Sequence, residues 1–317
     1  MFGFIKMLNN LMTKLKQNKR LWFTSIFVVA CAGISLALLM LISTTESISK
    51  EVYVSQSKNF VETYKDLVKV QEIKLHDISL LVSYDETLIQ ALGNNNLESI
   101  KKIQKDINTK LNQKNQNTLS VTFYPTQNTT EKLRSSVVSA LQTKNSIFGI
   151  EVLFDGVFYI YLLPIVKDNV VIGVIEAKES IYLVKESFER RTKEFVFLLD
   201  KKMLPFLSLK NRDGVYSDIG KNHLVNIKMH NNKIVSYINS LEDKSLESFA
   251  QENYIYDKEY FLSSYLLRDI NGVGIGMLIL GESIDEENGF INMAQKMANQ
   301  VVMITLGLIV SLLLFML

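Results

Sequence analysis

"FYIYLLPIVKDNVVIGVIEAKES" occupies residues 158–180, and "YFLSSYLLRDINGVGIGMLILGES" occupies residues 260–283. Each reads as a β-branched and aromatic strand, a short polar turn, and a second strand with an apolar-Gly-apolar step, at Gly173 and at Gly274 and Gly276. Each then leaves on an acidic residue followed by Ser. Runs of this composition bounded by turn residues are strand signals. Two copies about 100 residues apart are an internal repeat, which predicts two related sheet domains in series.

Working outward from the first copy, Leu119–Tyr124 alternates apolar and polar and ends at Pro125. Thr130–Leu141 carries helical spacing through Leu133, Val137, Ala140 and Leu141. Ile147–Phe154 closes on Asp155-Gly156, a tight-turn pair. With Val157–Val166 and Val170–Ala177, these segments predict an antiparallel α+β domain over 119–180, helices on one face. Beyond it, Ser180–Glu194 predicts a helix and Phe195–Leu199 a strand. Residues 201–250 read as irregular, with short strand-like pieces at Leu224–Met229 and Lys233–Ile238. Glu259–Leu267 and Val273–Leu280 form the closing hairpin of a second domain, 181–283.

The flanks are helical and apolar. Residues 21–45 contain no charge, and neither do residues 297–317. Each run is long enough to cross a bilayer core, which takes about 20 helical residues. Lys6, Lys14, Lys16, Lys19 and Arg20 precede the first run with no acidic residue among them. The positive-inside rule then keeps residues 1–20 cytoplasmic and exports residues 46–296. The first run is too long for a signal-peptide core, and Ser43-Thr44-Thr45 is not a small-residue cleavage site. The expected order is therefore cytoplasmic segment 1–20, transmembrane helix 21–45, helical region 46–118, sheet domains 119–180 and 181–283, helical connector 284–296, and transmembrane helix 297–317. The lipid bilayer is the expected partner, with 46–296 on its outer side; the family resemblance given below implies that this is a bacterial inner (plasma) membrane, with 46–296 periplasmic or extracellular.

Within the helical region, Val61, Tyr64, Val68, Gln71, Leu75, Ile78 and Val82 step by three and four. That is a heptad-like seam, open to packing on the chain's own domain or to a homodimer through the helix 46–82. Phe60, Leu67 and Leu81 form a neighbouring stripe. Gly93 and the three Asn after it break the helix, and Leu97, Ile100, Ile107 and Leu111 begin an amphipathic one.

Charge and chemistry exclude several classes. The N-terminal cations account for all of the net charge of +2, so the remainder is slightly acidic and offers no footprint for nucleic acid. The single Cys31 lies in the first apolar run, so no disulfide staples the exported part. His76, His223 and His230 complete no zinc set, and no metal or cofactor is expected. Gly272-Val-Gly-Ile-Gly276 lies inside a strand run and opens no helix, so it is not a dinucleotide loop. No nucleophile elbow, zinc-protease or P-loop motif is present, and no enzyme is expected.

The order of span, long helix, two hairpin-closed sheet domains, helix and span resembles the double Cache sensor ectodomains of bacterial chemoreceptors, histidine kinases and diguanylate cyclases. "YLLPIVKDNVVIGVIEAKES" (161–180) looks like the Pro-Ile…Gly closing hairpin of that family. The resemblance implies two PAS-like (Cache) domains flanked by transmembrane helices. It also implies a small-molecule ligand in the membrane-distal pocket, and a signalling homodimer. The sheet face there nominates Tyr124, Glu151, Tyr159, Tyr161 and Glu176, with Arg134 as a carboxylate clamp. The Tyr/Arg/Trp/Tyr/Asp set of amino-acid-binding members is not found, since the only Trp is Trp22. The function expected is a membrane signal receptor of chemoreceptor type whose chain stops at Leu317 without a cytoplasmic output domain. The alternatives are the sensor portion of a histidine kinase or diguanylate cyclase, and a protein-binding envelope ectodomain that senses nothing.

Overall fold

Both quoted stretches fold as hairpins at the centre of antiparallel sheets in the computed structural model. It describes residues 19–113, 119–126, 133–190, 193–241, 249, 253–257, 259–284 and 290–316. The first sheet comprises β1 (Leu119–Pro125), β2 (Ile147–Leu153), β3 (Gly156–Lys167) and β4 (Val170–Ser180), in the spatial order β1-β4-β3-β2. The second comprises β5 (Glu194–Asp200), β6 (Tyr216–Ile219), β7 (His223–Asn226), β8 (Tyr254–Tyr256), β9 (Tyr260–Arg268) and β10 (Gly274–Ser283). Its order is β6-β7-β5-β10-β9-β8. The run β5-β10-β9-β8 repeats the pattern of the first sheet: first strand, last strand, then the other two. The sequence repeat is thus a repeat of topology, with β6 and β7 added beyond β5 at one edge.

The apolar-Gly-apolar step has a steric reason in each sheet. Gly173 lies opposite Pro125 of β1, and a Cβ there would sit 2.9 Å from the Tyr124 carbonyl oxygen. Gly276 lies opposite Leu199, and a Cβ there would sit 2.1 Å from the Leu198 carbonyl oxygen. Glycine lets the first strand of each sheet close onto the last at these points. Each hairpin also carries a register shift nearby, at Ile165/Val166 and at Gly274/Gly276.

The described residues divide into two compact units, Gln56–Glu286 and a second drawn from Met1–Ser55 and Glu287–Leu317. The second contains the start of the long helix Lys19–Ser83 and the helix Phe290–Met316. Among the described residues no helix is long and apolar enough to cross a membrane. The expected span 21–45 falls almost entirely on residues whose side chains lie outside the described set, as do residues 308, 309 and 312–317 of the expected span 297–317.

From Gln56 the long helix is part of the sheet-bearing unit. Phe60 packs against Phe188 and Phe261, with ring centroids 6.3 and 5.9 Å away. Tyr64 meets Tyr265 at 5.6 Å. Further along, His76 meets Tyr161 edge-on at 5.5 Å, and Lys74 grips Glu179 through both carboxylate oxygens at 2.7 and 2.8 Å. Tyr64 and Leu75 of the heptad-like seam are buried, so that seam packs on the chain's own sheets. A different stripe, Val70, Ile73, Leu81 and Tyr84, is exposed.

Asp85 ends this helix's run by capping the next one, Glu86–Gly93, accepting from Thr87 N and Leu88 N. The amphipathic helix Leu97–Asn112 follows and secures the edge of the first sheet. Asn108 exchanges both amide hydrogen bonds with the Val121 backbone, at 2.7 and 2.9 Å.

Three sequence expectations are revised. Lys233–Ile238 is a helix, Asn232–Ser240, not a strand: Asn231 caps it, and Ile234 and Ile238, four apart, are both buried. Its β-branched content was outweighed by the cap and by that spacing. The helix expected at Ser180–Glu194 is shorter, Tyr182–Glu189, because β4 runs to Ser180 and β5 starts at Glu194. The helix expected from Thr130 is described from Ser135 to Thr143, with residues 127–132 outside the described set.

Candidate ligand-binding site

Strand pairing decides which side chains meet. Glu176 of β4 lies opposite Leu162 of β3 and Thr122 of β1. Leu162 in turn lies opposite Ile147 of β2. Directly opposed residues share a sheet face, and so do residues two or four apart on one strand. Glu151, Glu176 and Tyr124 therefore stand on one face. The helix Ser135–Thr143 covers that face, where Val137 and Ala140 pack with Ile160, Leu162 and Val174.

Arg134 is the residue just before that helix, in an extended conformation, and its side chain makes no cap bond. It reaches across the face instead. Nη1 donates to Glu151 Oε2 and Nη2 to Glu176 Oε2, and Tyr124 OH lies 3.4 Å from both Nη2 and Glu176 Oε2. The Glu151 and Glu176 side chains are 8% and 2% exposed, and that of Arg134 is 29% exposed. One guanidinium is thus shared between two buried carboxylates. Such charge-assisted bonds are short and directional, and the group carries a formal charge of −1.

The cluster opens on a cleft of about 340 Å³ whose walls include Arg134, Glu151, Phe206, Asp269 and Asn271. Asp269 and Asn271 belong to the β9–β10 turn. Asp269 holds that turn by accepting from Asn271 N at 2.9 Å and Val273 N at 2.7 Å. The turn is seated on the first sheet: Ile270 N donates to Ile150 O at 3.0 Å, and Ile270 lies over Gly149, where a Cβ would be 2.6 Å from its Cγ1.

Tyr159 and Tyr161 do not share this face. Tyr159 lies opposite Ile150 and Glu179, one residue out of phase with Glu151 and Glu176. It is fully buried, its hydroxyl 2.9 Å from that of Tyr64. Burial pushes both phenols well above the ordinary range, with the Tyr64 charge adding to the rise at Tyr159. Tyr161 packs edge-on against His76. Both tyrosines join the sheet to the long helix. The face of Tyr159 contributes to a second cleft, about 400 Å³, whose ionisable walls other than tyrosine are the exposed Lys65 and Arg268. A third, about 620 Å³, has only the exposed Glu86 and Lys167 beside Tyr84. The cleft at Arg134 is the one of the three with a buried carboxylate, Glu151, in its wall.

Asp269, Asn271 and Phe206 were not nominated from the sequence. The Asp-Ile-Asn-Gly turn was visible only as a turn, and nothing local says that it seats against β2. Among the described residues no group of three or more His, Cys, Asp or Glu is placed to hold a metal ion. His230 is buried against Tyr182, ring centroids 5.7 Å apart; burial lowers it to about 4, with the Lys185 charge acting the same way.

No protein-family model matches the sequence, and no curated protein matches it. Among solved structures, the chain is similar to the sensor domain of the V. cholerae histidine kinase DctB. That match has 11% identity over 74% of this chain and 98% of that one, with a TM-score of 0.36. It is similar to the ligand-binding domain of the Campylobacter jejuni chemoreceptor Tlp3 in complex with 4-methylisoleucine, at 14% identity over 75% and 95%, TM-score 0.40. It is also similar to the ligand-binding domain of the Pseudomonas fluorescens chemoreceptor CtaA in complex with L-alanine, at 10% identity over 75% and 100%, TM-score 0.38. These are sensor domains of the Cache type, the resemblance that the hairpin sequence carries.

Proposed function

We propose that this chain is a membrane-anchored signal receptor of chemoreceptor type, with residues 46–296 on the outer side of a bacterial inner membrane and a small ligand bound in the cleft at Arg134. The observation that carries the reading is the Arg134–Glu151–Glu176 cluster, polar groups converging under a helix at the wall of a cleft of about 340 Å³. Ligand sites are concave, of a few hundred Å³, and combine apolar walls with a few placed polar groups. The repeated sheet topology behind one long helix supports the sensor architecture that the hairpins suggest. The uncharged runs 21–45 and 297–317 support two spans, and the cations of 1–20 a cytoplasmic N-terminus.

The receptor acts as a homodimer in this reading. The seam through Tyr64 and Leu75 is taken by its own sheets, so the second copy meets the exposed apolar residues Val70, Ile73, Leu81 and Tyr84 at the end of the helix.

The test is a thermal-unfolding screen of the full chain in detergent against organic acids, amino acids, amines and purines. A ligand at 100 times its dissociation constant stabilises the folded state by about 2.7 kcal/mol. The shift is expected to vanish when the exposed Asn271 is replaced by Trp, which fills the cleft. A well-folded chain that responds to nothing, or whose ligand ignores Asn271→Trp, would overturn this reading of the site.

A further inference from the structure

Resting on the reading that this cleft takes a small ligand, we infer that the ligand is an organic cation, an amine, and that Arg134 is not its carboxylate clamp. Both terminal nitrogens of Arg134 already donate to carboxylates, Nη1 to Glu151 and Nη2 to Glu176. A ligand carboxylate would have only the remaining N–H donors of a guanidinium whose charge two acidic groups already share, and would sit beside both of them.

The charge balance points the same way. Arg134 faces Glu151 and the Glu176 behind it, and Asp269 joins Glu151 as a second carboxylate in the wall of the cleft. The first turn of the helix Ser135–Thr143 contributes about half a positive charge at most. Lys178, the other cation on that face of β4, is held by Asp155 at 2.6 Å. The cleft therefore stays acidic. Buried carboxylates in excess of their partners are unfavourable until a cation joins them.

The rest of the wall suits an organic cation better than a metal ion. Phe206 lines the cleft with its side chain 58% exposed, beside Met203 and Val273. An aromatic face next to carboxylates is a recognised setting for alkylammonium groups, through cation–π attraction and apolar contact.

The experiment is calorimetric titration of the full chain in detergent with three probes of similar size: butylamine, tetramethylammonium and butyrate. At least one of the two cations is expected to bind saturably, and butyrate is not. Binding of that cation is expected to weaken as salt is raised, as charge-driven association does. It is also expected to weaken about tenfold in Glu151→Gln, the loss that removing one charged partner implies. The salt series uses the unaltered chain, so it stands even if the variant folds poorly. Binding of butyrate, or cation binding indifferent to both salt and Glu151→Gln, would overturn the inference. If none of the probes binds while the wider screen finds a ligand that Asn271→Trp abolishes, the cation inference falls and the site reading survives. If Asn271→Trp abolishes nothing, the site reading itself has failed.

Discussion

Replacing Arg134 by Met should destabilise the protein far more than the loss of one partly exposed side chain suggests. Met keeps the apolar stem and removes the guanidinium, leaving Glu151 and Glu176 facing the same emptied position with their side chains 8% and 2% exposed. Removing one partner from a buried ionic group costs about 3–5 kcal/mol, because the survivors keep their desolvation penalty and lose their attraction. Arg134 is itself 29% exposed, and solvent reaching that position places the expectation at the low end, about 3 kcal/mol. For a chain of this size one kcal/mol moves the melting midpoint by about 2–3 °C, so the midpoint should fall by about 6–9 °C. The triple variant Arg134→Met, Glu151→Gln, Glu176→Gln removes all three charges at nearly constant shape and should recover most of that loss. Thermal melts by far-UV circular dichroism on the single variant, the Glu151→Gln, Glu176→Gln variant and the triple variant close the cycle that gives the coupling. A single variant within about 1 kcal/mol of the parent, or a triple variant less stable than the single one, would refute the argument that the carboxylates are held in the fold by the guanidinium.

Three further outcomes follow from geometry described above. Gly173→Ala should cost about 1–3 kcal/mol, and Gly276→Ala more, because its Cβ would lie 2.1 Å from the Leu198 carbonyl against 2.9 Å from that of Tyr124; denaturant titrations of the two variants check the order. His230 falls from the ordinary 6.5 to about 4 through burial, so its neutral form belongs to the fold and the unfolded chain takes up the proton first. Stability should then drop as pH falls from about 6.5 to 4, by about 3 kcal/mol at most, and His230→Gln should flatten that part of the profile. Leu81→Asp changes a side chain that is 73% exposed, so the melting midpoint of the protomer should hold while sedimentation shows loss of the dimer; an unchanged dimer would remove that stripe from the interface.

Most of the strand framework was legible because it is local. Alternation over 119–124, the Asp155-Gly156 turn and the paired hairpins place ten of the twelve ends of β1–β4, β9 and β10 within a residue, and miss only the ends of β4 and β10, by three. The helix at 232–240 was not, since Lys233–Ile238 is short and rich in Ile, Val and Tyr, and a six-residue window cannot separate a buried helical stripe from a strand. At the site, Tyr124, Arg134, Glu151 and Glu176 were nominated and do come together. Tyr159 and Tyr161 were nominated with them and point the other way. Period-two alternation says that Tyr159 and Tyr161 share a face, but not which one. That depends on β4 pairing Glu176 with Leu162 and not with its neighbour, and a slip of one residue inverts the result. The partner of Arg134 was equally out of reach. A lone Arg before a helix looks like a free clamp until the register delivers two carboxylates to it. Asp269 joins the cleft only because Ile270 docks over Gly149, a contact between segments about 120 residues apart with no local signature.

Glu176 and Glu179 stand three residues apart on one strand, so they emerge on opposite sides of it. The first holds Arg134, and the second is clasped by Lys74 of the long helix. One strand, β4, thus contacts the Arg134 cluster on one face and the long helix on the other. Thermodynamic linkage makes any coupling through that strand mutual. If filling the cleft changes the free energy of moving the helix, then gripping the helix changes the affinity of the cleft by the same factor. In the proposed receptor, a second copy or a bilayer holding the helix would thereby act as an effector of ligand binding, and an affinity measured on residues 46–296 alone would belong to a different equilibrium from that of the proposed anchored chain.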